Sequence, residues 1–600
     1  MTAPQLRAGQ VITTFGPGAM VDLPDCSVII GGLDNWKYDL GNFHEVQEPR
    51  LVSKLRDLLN VQALTLRKPP PSNDDPQNVG GPSITVWSFP EWYVVQAAVT
   101  TKAGHRARRL VHQQQLEKNK FKDVNRKSQK VIPVRFVRAC PKGHVGDIDW
   151  KAFIHRGESQ CGRDLWLEER GTSGDLSEVF ARCECGKSRG MNEASLLALK
   201  ALGHCNGAQP WLGPRSNVKC GQPSRLLIRS ASNAYFAQTL SVISIPEQED
   251  PLVPIVKALW DNYFGLVESV EELARERRRP DVRNAIDGYD DADVWRVIQE
   301  VRDGTGTTDT PVKEAEFDAL ADAKDELGAD TPDGNFYARA LEEKLWKEKA
   351  PWMANVERVV LVHRLREVIA QLGFTRFEAA GPDIQGELAL DVERAPLAQE
   401  LTWLPAIENR GEGIFIKFSS DAVEDWLKKP EVLERGRHLA RGFKKWRDEH
   451  EGSSRKFPGL PYYMLHTLSH LLVTAISLDC GYPASSIRER VYAGSGQYGI
   501  LIYTASSDAE GTLGGLVEAG RAIKGHLWRA LELGSLCAND PVCAAHAPDE
   551  HDPLPLQGSA CHGCVLISET SCEQYNDFLD RALVVETVEG LAAEFFPAVQ

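Results

Sequence analysis

Six hundred residues with 42% apolar and 26% charged side chains are too many for one hydrophobic core, and predict several folding units of ordinary globular make-up. A net charge of −15 excludes a protein whose whole surface clamps nucleic acid, while leaving room for a local basic face. No export signal and no apolar run of membrane-spanning length is read, so the expected compartment is the cytoplasm without membrane association, where thirteen cysteines point to metal rather than to disulfides.

The fold class predicted is α+β, multi-domain. Residues 1–131 are expected to form an N-terminal β-rich domain. The run Gln10 to Asp22 reads as β-rich and is broken by the turn Gly16-Pro17-Gly18, which lacks the Lys-Ser/Thr pair of a phosphate loop. Val28 to Leu33 is a second short strand, Pro69 to Pro82 an exposed proline-punctuated loop, and Thr85 to Trp92 a strand entering a turn. The segment from Lys102 to Lys142 is the most basic in the chain. Its Arg106, Arg108, Arg109, Lys118, Lys120, Lys122, Arg126 and Lys127 form a candidate phosphate-backbone footprint, against the plainer reading of a solvated face.

Residues 132–246 read as paired zinc-binding modules. A strand, Pro133 to Ala139, runs into the Cys-x3-His turn Cys140 to His144, and His155 with Cys161 would complete a site of two thiolates and two imidazoles. Cys183, Cys185, Cys205 and Cys220 give a second group of four, with glycine following the cysteine in the Cys185-Gly186 and Cys220-Gly221 turns. Gly186-Lys187-Ser188 is not a Walker A ending, because Ala181 stands where the loop requires its first glycine. Sites with four protein ligands leave no open position, so the ions are expected to be structural.

Residues 247–400 read as mainly helical, from Leu252 to Trp260 and Glu268 to Arg279 through an acidic stretch of short helices and loops. Arg364 to Arg376 is predicted as a helix stopped at Gly373. Residues 401–600 form the expected C-terminal zinc-binding domain. There, Trp403 to Phe418 is a charged turn feeding a strand, Glu434 to Glu449 a charge-rich helix, and Gly499 to Thr504 a buried strand. His466 and His470 share one helix face at metalloprotease spacing, but Thr467 stands where the glutamate base belongs. Two packed histidines with hydrogen-bonded rings are the expectation, and Asp508 with Glu510 would cap a helix or pair with a basic residue. At the end of the chain Cys561-x-x-Cys564 is to be closed by Cys543 and Cys572, with Cys537 in reserve, making about three structural Zn2+ sites in all.

Taken together, the blocks Ile12 to Gly18, Ala139 to His144, Leu365 to Val368 with Gly373 to Arg376, Trp403 to Ala406, Arg410 to Ile414, Leu465 to His470, Gly511 to Leu516 and Cys561 to Cys572 resemble the DrmB family of bacterial DISARM anti-phage systems. That family carries the zinc-binding (MZB) domain also found at the C-terminus of MrfA-type repair helicases. The resemblance covers nearly the whole chain. It implies zinc ligands at Cys543, Cys561, Cys564 and Cys572, and a heterodimer with a superfamily 2 helicase of DrmA type that binds DNA in antiviral defence. No nucleotide-binding motor is read in this chain, so the expected role is that of a non-catalytic subunit. The rivals are a metal-dependent nuclease using His466, His470, Asp508 and Glu510, and a stand-alone zinc-ribbon DNA binder.

Overall fold

The computed structural model describes residues 6–597 apart from 24–25, 40–43, 72–80, 124, 247–251, 304–310, 324–325, 332–333, 348–350, 380–382, 387–392, 451–452, 454, 495, 507–513 and 550–553. Its backbone is organised by two long antiparallel strands, Val356–Thr375 and Trp403–Phe418, paired from Val356 opposite Phe418 to Ala370 opposite Ala406. The fold is α+β, and the two strands belong to more than one core.

At one end of the pair, Val356–Thr375 is flanked by Phe336–Ala340, and Trp403–Phe418 by Gln497–Ser506, which pairs in turn with Ile487–Gly494. Val359, Ile414, Ile416, Ile500 and Ile502 bury against the helix Leu460–Ser477, while Val360, Val362, Phe415, Leu501 and Tyr503 face Phe317 and Leu320 from the other side. At the opposite end the partners change. Phe236–Ile243 pairs with residues 367–375, and Thr65–Arg67 lies parallel to Trp403–Pro405. Here Val368, Ala370, Leu372, Phe374, Leu404 and Ala406 enter a separate core with Val11, Leu51 and Trp211. The expected boundary at 400/401 therefore falls between two strands that are hydrogen-bonded along most of their length.

Three expected elements are corrected. Arg364 to Thr375 is strand rather than helix, with Arg376 just beyond its end, because both faces of the sheet are covered and the two-residue alternation of a half-exposed strand is lost. Its charged residues are buried with partners. Arg366 bonds Glu48, Glu408 and Ser244, and Glu367 accepts from Arg488, Tyr503 and Asn409. Trp403–Phe418 is one uninterrupted strand without the expected turn, and Gln10 to Thr13 lies in the helix Ala8–Thr13, leaving Met20–Asp22 as the strand.

The turn Gly16-Pro17-Gly18 packs on the long strands. Gly18 has φ +85°, and a Cβ there would enter the Phe374 ring. The buried guanidinium of Arg376 donates to the carbonyls of Gly18 (2.7 Å), Gly143 (2.9 Å) and Ala234, tying this turn to the Cys140–His144 turn. The basic segment lies in an eight-stranded sheet that contains Trp92–Thr100, Arg106–His112, Lys120–Lys122 and Ser128–Pro133. Four short helices between Leu252 and Asp303 enclose a satellite core of their own.

Candidate metal centres

The paired modules are nested rather than consecutive. Phe136–Ala139 pairs with Arg225–Ile228, placing Ala139 opposite Arg225 and the Cys140 turn beside the loop that carries Cys205 and Cys220. Cys140, His144, Cys205 and Cys220 thus form one group. The hairpin Leu165–Glu169/Val179–Cys183 sets Leu165 opposite Cys183, so Cys161, just before the first strand, meets the end of the second. His155, Cys161, Cys183 and Cys185 form the other group. The expected groupings, Cys140/His144/His155/Cys161 and Cys183/Cys185/Cys205/Cys220, are corrected for that reason: strand register, not order along the chain, chooses the partners.

Each group has the geometry of a tetrahedral thiolate site. A Zn–S length of about 2.3 Å implies sulfur–sulfur edges of about 3.8 Å, and Cys161 stands 3.6 Å from Cys183. In the first group, Cys140 Sγ is 3.4 Å from His144 Nδ1, and the amide of Gly207 donates to Cys205 Sγ at 3.3 Å. In the second, His155 Nδ1 donates to the Lys151 carbonyl at 2.9 Å, which fixes the tautomer and leaves Nε2 free to ligate, 3.3 Å from Cys185. Gly143 (φ +81°), Gly186 (φ +94°) and Gly207 (φ +72°) make the tight turns at the ligands. Burial, which disfavours the charged form, and then the neighbouring charge of Cys205 push the Cys140 thiol up to about 12.

The C-terminal group is Cys537, Cys543, Cys561 and Cys564, so Cys537 takes the place expected for Cys572. The helix Ile523–Ser535 ends just before Cys537, and Asp540 accepts the Cys537 amide at 2.8 Å, turning the chain so that Cys543 follows into the same site. Sulfur–sulfur distances are 3.4 Å for Cys537–Cys561 and 3.7 Å for both Cys543–Cys564 and Cys561–Cys564. The amides of Asn539 and Gly563 donate to Cys537 and Cys561, each at 3.3 Å. Hydrogen bonding with Cys564, helped by the buried Arg581, pulls Cys543 down to about 5. This donor set, four thiolates beside a guanidinium, fits zinc.

Cys572 lies elsewhere, facing the buried helix Leu460–Ser477. Its Sγ is 3.2 Å from His466 Nε2, and Glu489 Oε1 lies 2.8 Å from His466 Nε2 and 3.2 Å from His470 Nε2. The other ring nitrogens are hydrogen-bonded, His466 Nδ1 to the Phe578 carbonyl (3.3 Å) and His470 Nδ1 to the Val565 carbonyl (2.7 Å). Sequence reasoning anticipated the ring bonds and missed Glu489, which stands between Arg488 and Arg490 on the strand Ile487–Gly494 and reads there as one charge of a solvated face. Both histidines are wholly buried and face Glu489, with Cys572 beside His466. Asp508 and Glu510 lie outside the described residues.

The candidate phosphate contacts divide. Arg108 pairs with Glu169, Arg109 with Asp164 and Lys122 with Glu117, whereas Arg106, Lys118, Lys120, Arg126 and Lys127 stand exposed. On the helix Pro430–Glu449, Arg435 is buried against Asp580, and Arg437, Lys444 and Lys445 pair along the helix.

These centres define a zinc-binding protein. Residues 468–565 match the MrfA Zn-binding domain, a span holding all four cysteines of the C-terminal group, and residues 7–236 match a domain of unknown function, DUF8724. The chain is 32% identical over 484 residues to the DISARM protein DrmB of Bacillus paralicheniformis, an alignment covering 78% of this chain and 83% of the relative. It belongs to the DrmB family, a component of DISARM defence. Among the described residues, no helix is long and apolar enough to cross a membrane.

Proposed function

We propose that this protein is a non-catalytic, zinc-built subunit that docks on a superfamily 2 helicase of DrmA type as a heterodimer and helps it hold DNA in anti-phage defence. The observation that carries the reading is that every cysteine-rich centre has four protein donors converging on one point, the arrangement of ions that hold a fold together rather than activate water. Three such centres are counted, at Cys140/His144/Cys205/Cys220, His155/Cys161/Cys183/Cys185 and Cys537/Cys543/Cys561/Cys564.

DNA contact is assigned to the sheet edge around Lys118, Lys120, Arg126 and Lys127, where exposed cations on a short strand and its flanking turns present charge without base-reading geometry. The setting proposed is cytoplasmic. The test is to purify the chain with its candidate helicase and measure DNA-stimulated ATP hydrolysis with and without it at two salt concentrations. Stimulation that weakens at the higher salt supports the reading. Absence of a complex, or nucleotide turnover by this chain alone, overturns it.

A further inference from the structure

We infer that His466, His470, Glu489 and Cys572 bind a fourth zinc ion, separate from the three cysteine-rich centres, which fastens the buried helix Leu460–Ser477 to the C-terminal segment of the chain. The inference goes beyond the proposed function and does not depend on the helicase or DNA readings.

A local geometry of the cysteine-rich centres recurs at Cys572. In the cysteine-rich centres, the amide two residues beyond a cysteine donates to its sulfur at 3.3 Å, from Gly207 to Cys205, Asn539 to Cys537 and Gly563 to Cys561. The same bond, at the same length, runs from Gln574 to Cys572, and the Asn576 amide adds another at 3.1 Å. Amides aimed at a sulfur stabilise a thiolate ligand. Cys572 is therefore built as a metal-binding thiolate, although none of the other cysteines faces it.

The ring lone pairs of His466 and His470 converge. Both imidazoles commit Nδ1–H to carbonyl oxygens, so in their neutral forms both Nε2 atoms present lone pairs to the same carboxylate oxygen. Such lone pairs repel unless a proton on each ring or one metal cation lies between them, and a single divalent ion meets both rings, the carboxylate and the sulfur at once. The second oxygen of Glu489 is held by the Ser469 hydroxyl, which leaves Oε1 to face the histidines. For metal–ligand lengths of about 2.0–2.3 Å the tetrahedral edges would be about 3.3–3.6 Å. The observed 2.8–3.2 Å separations fall short of those edges by up to about half an ångström, so the ligands must part by that much to admit the ion.

The charges of such a site also balance. Two neutral imidazoles, one carboxylate, one thiolate and a divalent ion sum to zero, which suits a site where all four side chains are buried. Imidazole and thiolate donors select zinc over magnesium or calcium, and four protein ligands close the shell.

The test is anomalous diffraction across the zinc edge from crystals of the full chain purified without added metal. The expected result is a peak among His466 Nε2, His470 Nε2, Glu489 Oε1 and Cys572 Sγ, alongside peaks at the three cysteine-rich centres. Peaks at those three with none here would overturn this inference alone, while absence of all four would overturn it together with the zinc reading of the chain. Elemental analysis of Cys572→Ser, and of Glu489→Gln, which keeps the side-chain volume, is expected to show one ion fewer per chain than the parent. Folded variants of both kinds that retain the parent's ion count would also refute it.

Discussion

The nested pairing of the two central modules gives the sharpest perturbation. Replacing Cys161 and Cys183 by serine removes two donors from one centre and none from the other, since the second centre draws on Cys140, His144, Cys205 and Cys220. An apparent binding energy of about 10–16 kcal/mol per structural zinc means that a centre left with two donors forfeits most of what holds its module. The elements nearest that centre are Trp150–His155, the Leu165–Glu169/Val179–Cys183 hairpin and Ser188–Gly190, which share their core with Val94, Leu110 and Phe136. We expect one zinc ion to be lost, amide protection to collapse from about residue 150 to 190, and the remaining central ion to leave at the parent's rate in a chelator-competition assay. Cys140→Ser/Cys205→Ser should give the mirror image. Had the ligands been grouped in chain order, either double variant would weaken both centres by one thiolate each, and two accelerated release phases with no module-specific loss of protection would refute the nested assignment.

Other consequences follow from the same geometry. Glu316, wholly buried, accepts from Arg490, the Ile243 amide and Tyr492, so Arg490→Met should cost about 3–5 kcal/mol by stranding a buried carboxylate, and Glu316→Gln in the same chain should recover part of it, read by urea unfolding. Burial would raise the Glu408 carboxyl, but hydrogen bonds from Lys68 and Arg366 outweigh it and hold it below the ordinary 4.5. Its contribution is therefore present above that value and lost as pH falls through the lower folded value, so Glu408→Gln should flatten the acid limb of the melting-temperature profile; an unchanged slope would count against the assignment. Gly207→Ala should eject the ion from the Cys140/His144/Cys205/Cys220 centre, because a Cβ at φ +72° would overlap the Val218 carbonyl, and zinc analysis checks this. Reversing Lys118 and Lys120 to glutamate should weaken DNA binding by the proposed complex and lower its salt slope by roughly 0.9 for each phosphate no longer neutralised, and fluorescence anisotropy across a salt series measures both.

Local patterns made much of the metal chemistry legible. Cys140-x3-His144 and Cys561-x-x-Cys564 sit in tight turns as their spacing implied, and the apolar run around His466 is a buried helix. Partnership between distant ligands was not legible, since it depends on which strands pair and in what register. Whether a ligand is drawn from upstream or downstream of a Cys-x-x-Cys turn carries no mark in the sequence. Cys572 shows this well: its distance from Cys564 suits a zinc turn, yet the chain folds it away from that turn toward the helix. The sequence also disguised its longest strand. Arg366, Glu367 and Gln371 look like the polar face of a helix, and only the burial of both sheet faces, with partners waiting for each polar group, explains them.

That strand has a mechanical meaning. Twenty residues at about 3.3 Å each give a spar about 65 Å long, with one end embedded among the N-terminal strands and the other beneath the helix that carries His466 and His470. Neither half can be swapped, trimmed or tilted without bending a continuous hydrogen-bonded ribbon. The Gly16-Pro17-Gly18 turn, packed on Phe374, and the core beneath the Leu460–Ser477 helix are thereby joined by a single strand.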